Sequence, residues 1–228
     1  MLPGVSTARL LPVLILGGLF HVASLRADVI YTNFGVGDTY ASDAGLIVTH
    51  DGQAWSSVAV AFVPQSSYYL NSIEVVATDL FTDEAAVSIG VFADNGGQPG
   101  GTPIEELAFG GLGQFGQKVP LLTFTTQLNP LLLANTTYWI GLNASDGSMV
   151  VWDQNVTQTR GFMQSDGSGN WSASSLDQGA LRINGTLASP ASSNSDVNTV
   201  PEPATWLLLA GALALLAGKP GARFSHKK

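Results

Sequence analysis

Apolar residues alternate with small or polar residues along several segments between Asp28 and Leu187, and this period-two pattern limits the possible folds more than any other feature. Successive side chains of a β-strand point to opposite sides of the sheet, so the pattern predicts strands with one buried face. The apolar sets that fall on one face are Val58, Val60 and Phe62; Val87, Ile89 and Val91; Tyr138, Ile140 and Leu142; and Leu181 and Ile183. No segment in this range has the 3.6-residue period of an amphipathic helix.

Stretches rich in turn-forming residues separate these segments. Examples are DNGGQPGGTP at residues 94–103, DGS at 146–148 and DGSGN at 166–170. Gly, Pro, Asn and Asp favour tight turns, and strands joined in this way without helices predict an all-β fold. We therefore predict one antiparallel β-sandwich over residues 28–187. Jelly-roll and other Greek-key arrangements both fit the pattern, and we describe the expected sandwich as jelly-roll-like.

The amino-terminal residues 1–27 have the organisation of a signal peptide. Arg9 precedes an apolar run over residues 10–20, and the small residue Ala27 precedes Asp28. The run is shorter than the roughly 20 apolar residues of a membrane-spanning helix, which favours export and cleavage over a permanent anchor. Cleavage after Ser24 is the alternative position.

The carboxyl-terminal part of the chain changes composition twice. Residues 188–199, ASPASSNSDVNT, are small and polar, which predicts a flexible linker. Residues 204–218 carry no charge, and as a helix they would extend about 22 Å, short of the roughly 30 Å hydrocarbon core of a membrane. Trp206 lies at the start of this stretch, and four bases follow it at Lys219, Arg223, Lys227 and Lys228. Bases after a span tend to stay in the cytoplasm, so the preceding domain is expected outside.

The order Val200, Pro201-Glu202-Pro203, Trp206, a Leu- and Ala-rich helix and a basic end resembles a PEP-CTERM sorting signal. The resemblance implies a Gram-negative bacterium, recognition of Pro201, Glu202 and Pro203 by an exosortase, and transfer from the inner membrane to the cell surface or extracellular matrix. The bases are spread through KPGARFSHKK, whereas the family has a compact Arg cluster. An ordinary, uncleaved membrane anchor is the alternative interpretation of this tail.

Residues 29–187 resemble the choice-of-anchor domains, which are exported β-sandwich modules found with several carboxyl-terminal anchors. The segments that carry the resemblance are AVAFVPQSSYYLNSIEVVA, VFADNGGQPGGTPIEE, LLANTTYWIGL, VVWD and ALRINGTL, in that order. The resemblance implies the sandwich fold and a surface location, and it implies no activity.

Charge and residue types exclude several functions for the exported part. Residues 28–199 hold sixteen acids and three bases, a net charge of −13, which argues against nucleic acid as a partner. His50 is the only histidine of this region and there is no cysteine, so we predict neither a nucleophilic triad nor a metal site built on imidazole or thiolate. His50 lies in VTHDGQ, which indicates a turn, and we interpret it as a solvated histidine. The neighbouring pairs Asp83-Glu84 and Glu105-Glu106 would point to opposite faces of a strand, and we interpret them as solvated loop charges rather than glycosidase carboxylates. We predict no enzyme activity and no cofactor.

Two loops have a superficial likeness to cation-binding loops, beginning at Asp94 and Asp166. Neither has the spaced ligands and final Glu of an EF-hand, and ordinary turn chemistry accounts for both. A structural Ca²⁺ remains the alternative interpretation, because Ca²⁺ needs only oxygen ligands.

Aromatic residues suggest a sugar-binding surface. Trp55, Trp139, Trp152, Trp171 and the pair Tyr68-Tyr69 could present flat rings, although at least one of Tyr138 and Trp139 should belong to the core. Trp171 lies in a Gly- and Ser-rich stretch and is the one we expect to be most exposed and to stack on a ligand.

The sequence thus predicts a surface or matrix protein with a structural or adhesive role, associated with extracellular polysaccharide. A lectin-like carbohydrate-binding module is the second hypothesis, and a polysaccharide-degrading enzyme the third.

Overall fold

A computed structural model describes residues 27–50, 55–81 and 85–188, which belong to one compact unit. These residues form fourteen strands and contain no helix. The strands are β1 Asp28–Thr32, β2 Tyr40–His50, β3 Trp55–Phe62, β4 Tyr68–Val75, β5 Ala77–Asp79, β6 Ala86–Ala93, β7 Glu105–Gly110, β8 Leu122–Thr125, β9 Leu131–Leu132, β10 Tyr138–Ala144, β11 Ser148–Asn155, β12 Arg160–Ser165, β13 Trp171–Asp177 and β14 Leu181–Leu187. The predicted signal peptide, apart from Ala27, and the predicted linker and sorting segment, apart from Ala188, lie outside the described residues.

The strands form two curled antiparallel sheets. The first has the order β1-β14-β4-β8, with the short β9 also paired to β4. The second has nine strands in the order β5-β11-β2-β3-β10-β6-β7, and β12 and β13 attach to it through β3. All pairings between these strands are antiparallel. The prediction of an all-β, antiparallel, sandwich-like domain is therefore confirmed.

The core lies between the two sheets and is built from the alternating residues. All eleven residues that the period-two pattern assigned to buried faces are in one apolar cluster, together with Trp152 and residues of β4 and β8. Ring contacts also join the sheets, between Tyr31 and Phe62 at 6.3 Å and between Phe109 and Phe124 at 5.9 Å. Burial of apolar side chains on the inner face of each sheet supplies the main driving force for this packing.

Strand β11 holds a buried carboxyl group at the point where its pairing with β2 shifts register. Asp153 is fully buried, and Thr78 Oγ1 donates a hydrogen bond of 3.1 Å to its Oδ2. Its Oδ1 is enclosed without a partner among the described residues. Because burial disfavours the charged form, the pKa of Asp153 is raised to about 7.

Candidate functional site

The outer face of the nine-stranded sheet carries a row of four polar residues and one tryptophan, which we call the polar row and which crosses five neighbouring strands. Residues paired directly across antiparallel strands lie side by side on the same face. The register places together Trp171 of β13, Ser165 of β12, Ser57 of β3, Asn143 of β10 and Ser88 of β6. Neighbouring strands lie about 4.8 Å apart, so the row is about 19 Å long. Its neighbours along the strands, such as Val58 and Leu142, are in the core, which fixes the row on the outside.

Two cavities open along this row. The first has a volume of about 330 Å³, and its lining includes Trp55, Trp171, Ser57, Asn95, Gln98 and Asn143. The second has a volume of about 590 Å³ and is lined by His50, Trp55, Ser88, Glu106, Asn143, Ala144, Ser145 and Asp146. Because Trp55 and Asn143 line both, we treat the cavities as two arms of one site and call it the tryptophan groove. We call the first cavity its amide arm and the second its acidic arm.

Small residues keep the floor of the groove low. Ala59, Gly141 and Gly90 form the next row across β3, β10 and β6. The Phe92 ring lies over both glycines, because a Cβ added at Gly90 would come 2.4 Å from it and one at Gly141 2.8 Å. Any larger residue at these two positions would displace Phe92, which itself lines the amide arm.

The turn between β12 and β13 shapes one wall of the groove. Asp166 Oδ1 accepts hydrogen bonds from the hydroxyl and the backbone N–H of Ser168, at 2.6 and 2.9 Å, and these bonds lower the pKa of the Asp166 carboxyl. Gly167 has φ of 78° and packs directly on Trp55, since a Cβ at Gly167 would lie 2.5 Å from the Trp55 Cβ. Glycine is required there both for the left-handed backbone and for the close contact.

The loop between β6 and β7 shapes the opposite wall. Trp139 Nε1 donates a hydrogen bond of 2.8 Å to Asp94 Oδ1, and the backbone N–H of Gly97 donates one of 3.1 Å to Asp94 Oδ2. Asn95 N–H donates to the Gln98 carbonyl at 2.8 Å, which closes the turn. Both carboxylates of the cation-like loops, Asp94 and Asp166, are thus used in hydrogen bonds that hold turns. The described residues contain no group of three or more His, Cys, Asp or Glu side chains placed to hold a metal ion.

Several polar side chains of the groove have no internal partner. Among the described residues, no hydrogen bond involves the side chains of Ser57, Asn95, Gln98 or Asn143, or the indole N–H of Trp55 or Trp171. Ser57 is only 6% exposed, yet its hydroxyl is not one of the enclosed unpartnered atoms, so it opens into the amide arm. Buried polar groups normally find partners within the protein. Groups left open along a groove are instead available to a ligand.

His50 and Trp55 meet at the start of the acidic arm. Their rings stack with centroids 4.7 Å apart and an interplanar angle of 14°. His50 Nδ1 lies 2.8 Å from Asp146 Oδ1, and the Asp146 side chain is 92% exposed. Glu106 Oε1 accepts a hydrogen bond of 2.7 Å from Ser88 Oγ. No Lys or Arg is among the residues that line either arm, so the groove presents carboxylates, the His50 imidazole, and amide and hydroxyl groups.

The structure places the six aromatic candidates in different environments. Trp171 is half-buried and lines the amide arm, whereas Trp55 is half exposed, so the expectation that Trp171 would be the most exposed tryptophan was wrong. Both residues begin paired strands, Trp171 opposite Ser165 of β12 and Trp55 opposite His50 of β2, so strand pairing does not explain the difference. Trp152 is fully buried, and both Tyr138 and Trp139 are buried on opposite faces of β10. Tyr69 is 47% exposed on the other sheet, away from the groove.

The charged candidates also differ from their sequence interpretation. Glu105 is a buried residue of β7 whose Oε1 accepts hydrogen bonds from the backbone of Gln127 and Leu128, so it is not a solvated loop charge. Glu106 is exposed, and the prediction that the pair would point to opposite faces is confirmed. His50 ends a strand and is not in a turn. Asp83 and Glu84 lie outside the described residues, as do Pro201, Glu202 and Pro203 of the predicted sorting motif.

Comparison of the chain with models of protein families, with curated proteins and with solved structures finds no match. In the part of the chain that the structure describes, there is also no helix with the length and apolar character needed to cross a membrane. The chemistry of the tryptophan groove therefore carries the functional argument.

Proposed function

We propose that this chain is an exported bacterial surface or extracellular-matrix protein that binds extracellular polysaccharide through the tryptophan groove. The observation that carries the proposal is the meeting of Trp55 and Trp171 with the unpartnered polar side chains of Ser57, Asn95 and Asn143 in one open groove. Indole rings provide an apolar surface for the C–H face of a sugar. Amide and hydroxyl groups can each donate and accept, as sugar hydroxyls do.

The extended form of the groove supports a polymer rather than a small compact ligand. The row runs about 19 Å across five strands, and each arm has exposed residues in its lining, Asn95 in the amide arm and Asp146 in the acidic arm. A chain of several sugar rings could lie along the row without entering the core. An adhesive or structural role follows if this binding holds the protein in a polysaccharide matrix. A lectin-like role is the alternative in which recognition of the glycan is itself the function.

The proposed location and maturation rest on the sequence. Pro201-Glu202-Pro203, Trp206, the Leu- and Ala-rich stretch and the basic end support sorting by an exosortase, with a transient inner-membrane anchor. The segments of residues 29–187 support a choice-of-anchor type domain, with a jelly-roll-like arrangement of its strands. We propose that the groove binds without catalysing a reaction and needs no cofactor.

The binding proposal is tested by affinity electrophoresis of the full chain in mild detergent through gels that contain the host polysaccharide. We expect retardation of the wild-type chain and about a tenfold loss of affinity for Trp171→Ala, the scale of a tryptophan contact worth about 1.4 kcal/mol. Tyr69→Ala, which removes an exposed ring from the other sheet, is the matched control and should bind as the wild type does. Equal mobility in the presence and absence of polysaccharide would contradict the proposal.

Sorting is tested separately by the intact mass and carboxyl-terminal sequence of protein purified from the native cell surface. A chain that ends near Pro201–Pro203 is the expected result. A membrane-bound chain that still ends at Lys228 would instead favour an uncleaved anchor.

A further inference from the structure

We infer that the tryptophan groove selects glycans that carry free amino groups, and that the acidic arm holds a protonated sugar amine. This inference deepens the proposed function and rests on the groove being a glycan-binding site. It concerns the chemical class of the polymer, which the amide arm alone does not determine.

The acidic arm has two carboxylates in its lining and no Lys or Arg, and its one imidazole, that of His50, lies against Asp146. Glu106 Oε1 is held by Ser88 Oγ at 2.7 Å, which orients the carboxylate and leaves Oε2 without a partner among the described residues. Asp146 is oriented by His50 Nδ1 at 2.8 Å while its side chain stays 92% exposed. An ammonium group donates three hydrogen bonds and carries one positive charge, so it satisfies oxygens of this kind.

The acidic arm is continuous with the part of the groove that suits sugar rings. Trp55 and Asn143 line both arms, and the Ser57 hydroxyl, on a residue 6% exposed, opens without a partner into the amide arm. A glycan that stacks near Trp171 and continues along the polar row reaches Ser88, the residue that holds Glu106. The carboxylates are therefore placed to contact a later sugar of the same chain.

Charge also argues against the opposite class of polymer. The predicted exported part has a net charge of −13, and neither arm is lined by Lys or Arg. A polymer of uronic acids or sulfated sugars would bring like charges close to Glu106 and Asp146, which is unfavourable. A polymer with free amines is attracted instead.

The test compares binding of the full chain, in mild detergent, to three oligosaccharides of equal length by isothermal titration calorimetry. The probes are β-1,4-glucosamine, β-1,4-N-acetylglucosamine and oligogalacturonate, each at low and high salt and at a pH where the amine is protonated. We expect glucosamine to bind about five- to tenfold more tightly than N-acetylglucosamine, from a few-fold contribution by each exposed carboxylate. The preference should shrink at high salt because solvent-exposed charges are screened.

Variants assign the preference to the acidic arm. Glu106→Gln and Asp146→Asn keep the size of each side chain, and together they should bring the ratio of the two affinities close to one. Asp43→Asn is the matched control, since it removes an exposed charge that lines neither arm and should leave the ratio unchanged. Thermal unfolding of each variant checks that the fold is retained.

The outcomes separate the two proposals. Equal binding of both glucosamine forms, or a preference that the double variant retains, overturns this inference and leaves the glycan-binding function standing. Binding of oligogalacturonate only after addition of Ca²⁺ also overturns it, because the carboxylates would then hold a cation. Failure of all three probes and of the host polysaccharide would overturn the proposed function together with the inference.

Discussion

The two faces of the nine-stranded sheet use the same strands for different purposes. On the inner face, Val58, Leu142 and Trp152 are almost fully buried in the apolar cluster. On the outer face, Ser57 and Asn143 are the sequence neighbours of Val58 and Leu142 and line the groove. Because neighbouring residues of a strand point in opposite directions, one strand can supply both the core and a binding surface. A substitution on the inner face should therefore lower the stability of the fold, and a substitution on the outer face should lower the affinity for a ligand.

Two polar side chains of the same sheet, Asp153 of β11 and Asn143 of β10, have unpartnered atoms in different surroundings. Asp153 Oδ1 is enclosed and unpartnered within the described residues, which is unfavourable for a charged carboxylate. The Asn143 amide also has no partner there, but it lies in an open groove where water can satisfy it. Asp153 therefore lowers the stability of the fold at neutral pH. The unpartnered amide of Asn143 has little effect on stability and is free to bind a ligand.

The largest expected effect is on the inner face, at Trp152. Trp152→Ala should lower the free energy of unfolding by about 3–5 kcal/mol, since it leaves a large cavity in the core. It also removes the hydrogen bond of 3.0 Å from Trp152 Nε1 to the Ala180 carbonyl. Urea denaturation followed by circular dichroism measures the change. Trp55→Ala is the control at a half-exposed tryptophan, and an equal loss in both variants would contradict the division between the faces.

The next effect is a pH dependence that comes from Asp153. Its folded-state pKa of about 7 lies above the ordinary value of 3.8, so the unfolded chain gives up its proton first. This contribution to stability is fully present below about pH 4 and is lost as the pH rises to about 7, amounting to up to about 4 kcal/mol. Asp153→Asn should remove this dependence while keeping an acceptor for Thr78 Oγ1. Urea denaturation of both chains between pH 4 and 8 tests this, and parallel curves would contradict the assignment.

A smaller loss of stability is expected at Gly167, in the turn between β12 and β13 that contacts Trp55 of the groove. Gly167→Ala should destabilise the fold by about 1–2 kcal/mol, because the residue has positive φ. Its new Cβ would also displace Trp55 and weaken glycan binding. Gly37→Ala is the matched control, since Gly37 also has positive φ but its added Cβ would meet no atom within 4 Å. Equal glycan affinity in the two variants, measured by calorimetry, would show that the Gly167 contact does not shape the groove.

The smallest effect on stability is expected at Asn143. Asn143→Ala should change the free energy of unfolding by less than about 0.5 kcal/mol, because the amide makes no internal hydrogen bond. Glycan affinity should nevertheless fall about fivefold, the scale of one lost hydrogen bond. Thermal unfolding and calorimetry on the same sample measure both quantities. A marked loss of stability with unchanged affinity would reverse the roles assigned to the two faces.

Much of the fold could be predicted because alternation is a local property. The buried sets in β3, β6, β10 and β14 follow directly from the period of two, and the turn residues mark where the strands end. The groove was harder to predict. Trp171 was predicted to contact a ligand from its Gly- and Ser-rich surroundings, but Ser57, Asn95 and Gln98 have no local signal that separates them from other polar residues.

Burial of individual polar residues was the main source of error. Glu105 was expected in solvent because carboxylates usually are, yet backbone N–H groups of a distant loop satisfy it in the interior. His50 was expected in a turn, yet it extends β2 and stacks on Trp55, five residues later. In both cases the partner that decides the environment is brought close by strand pairing or loop packing.

The sequence by itself determined the class of fold, the inner-facing residues and the excess of acids, and it predicts address segments at both ends. These properties depend on composition and on neighbours within a few positions. Only the tertiary structure decided that Trp171, Ser57, Asn143 and Ser88 form one row, because that row depends on the register of five strands spread over more than a hundred residues. Strand register is set by contacts between distant segments, and the arrangement of a binding surface is set with it.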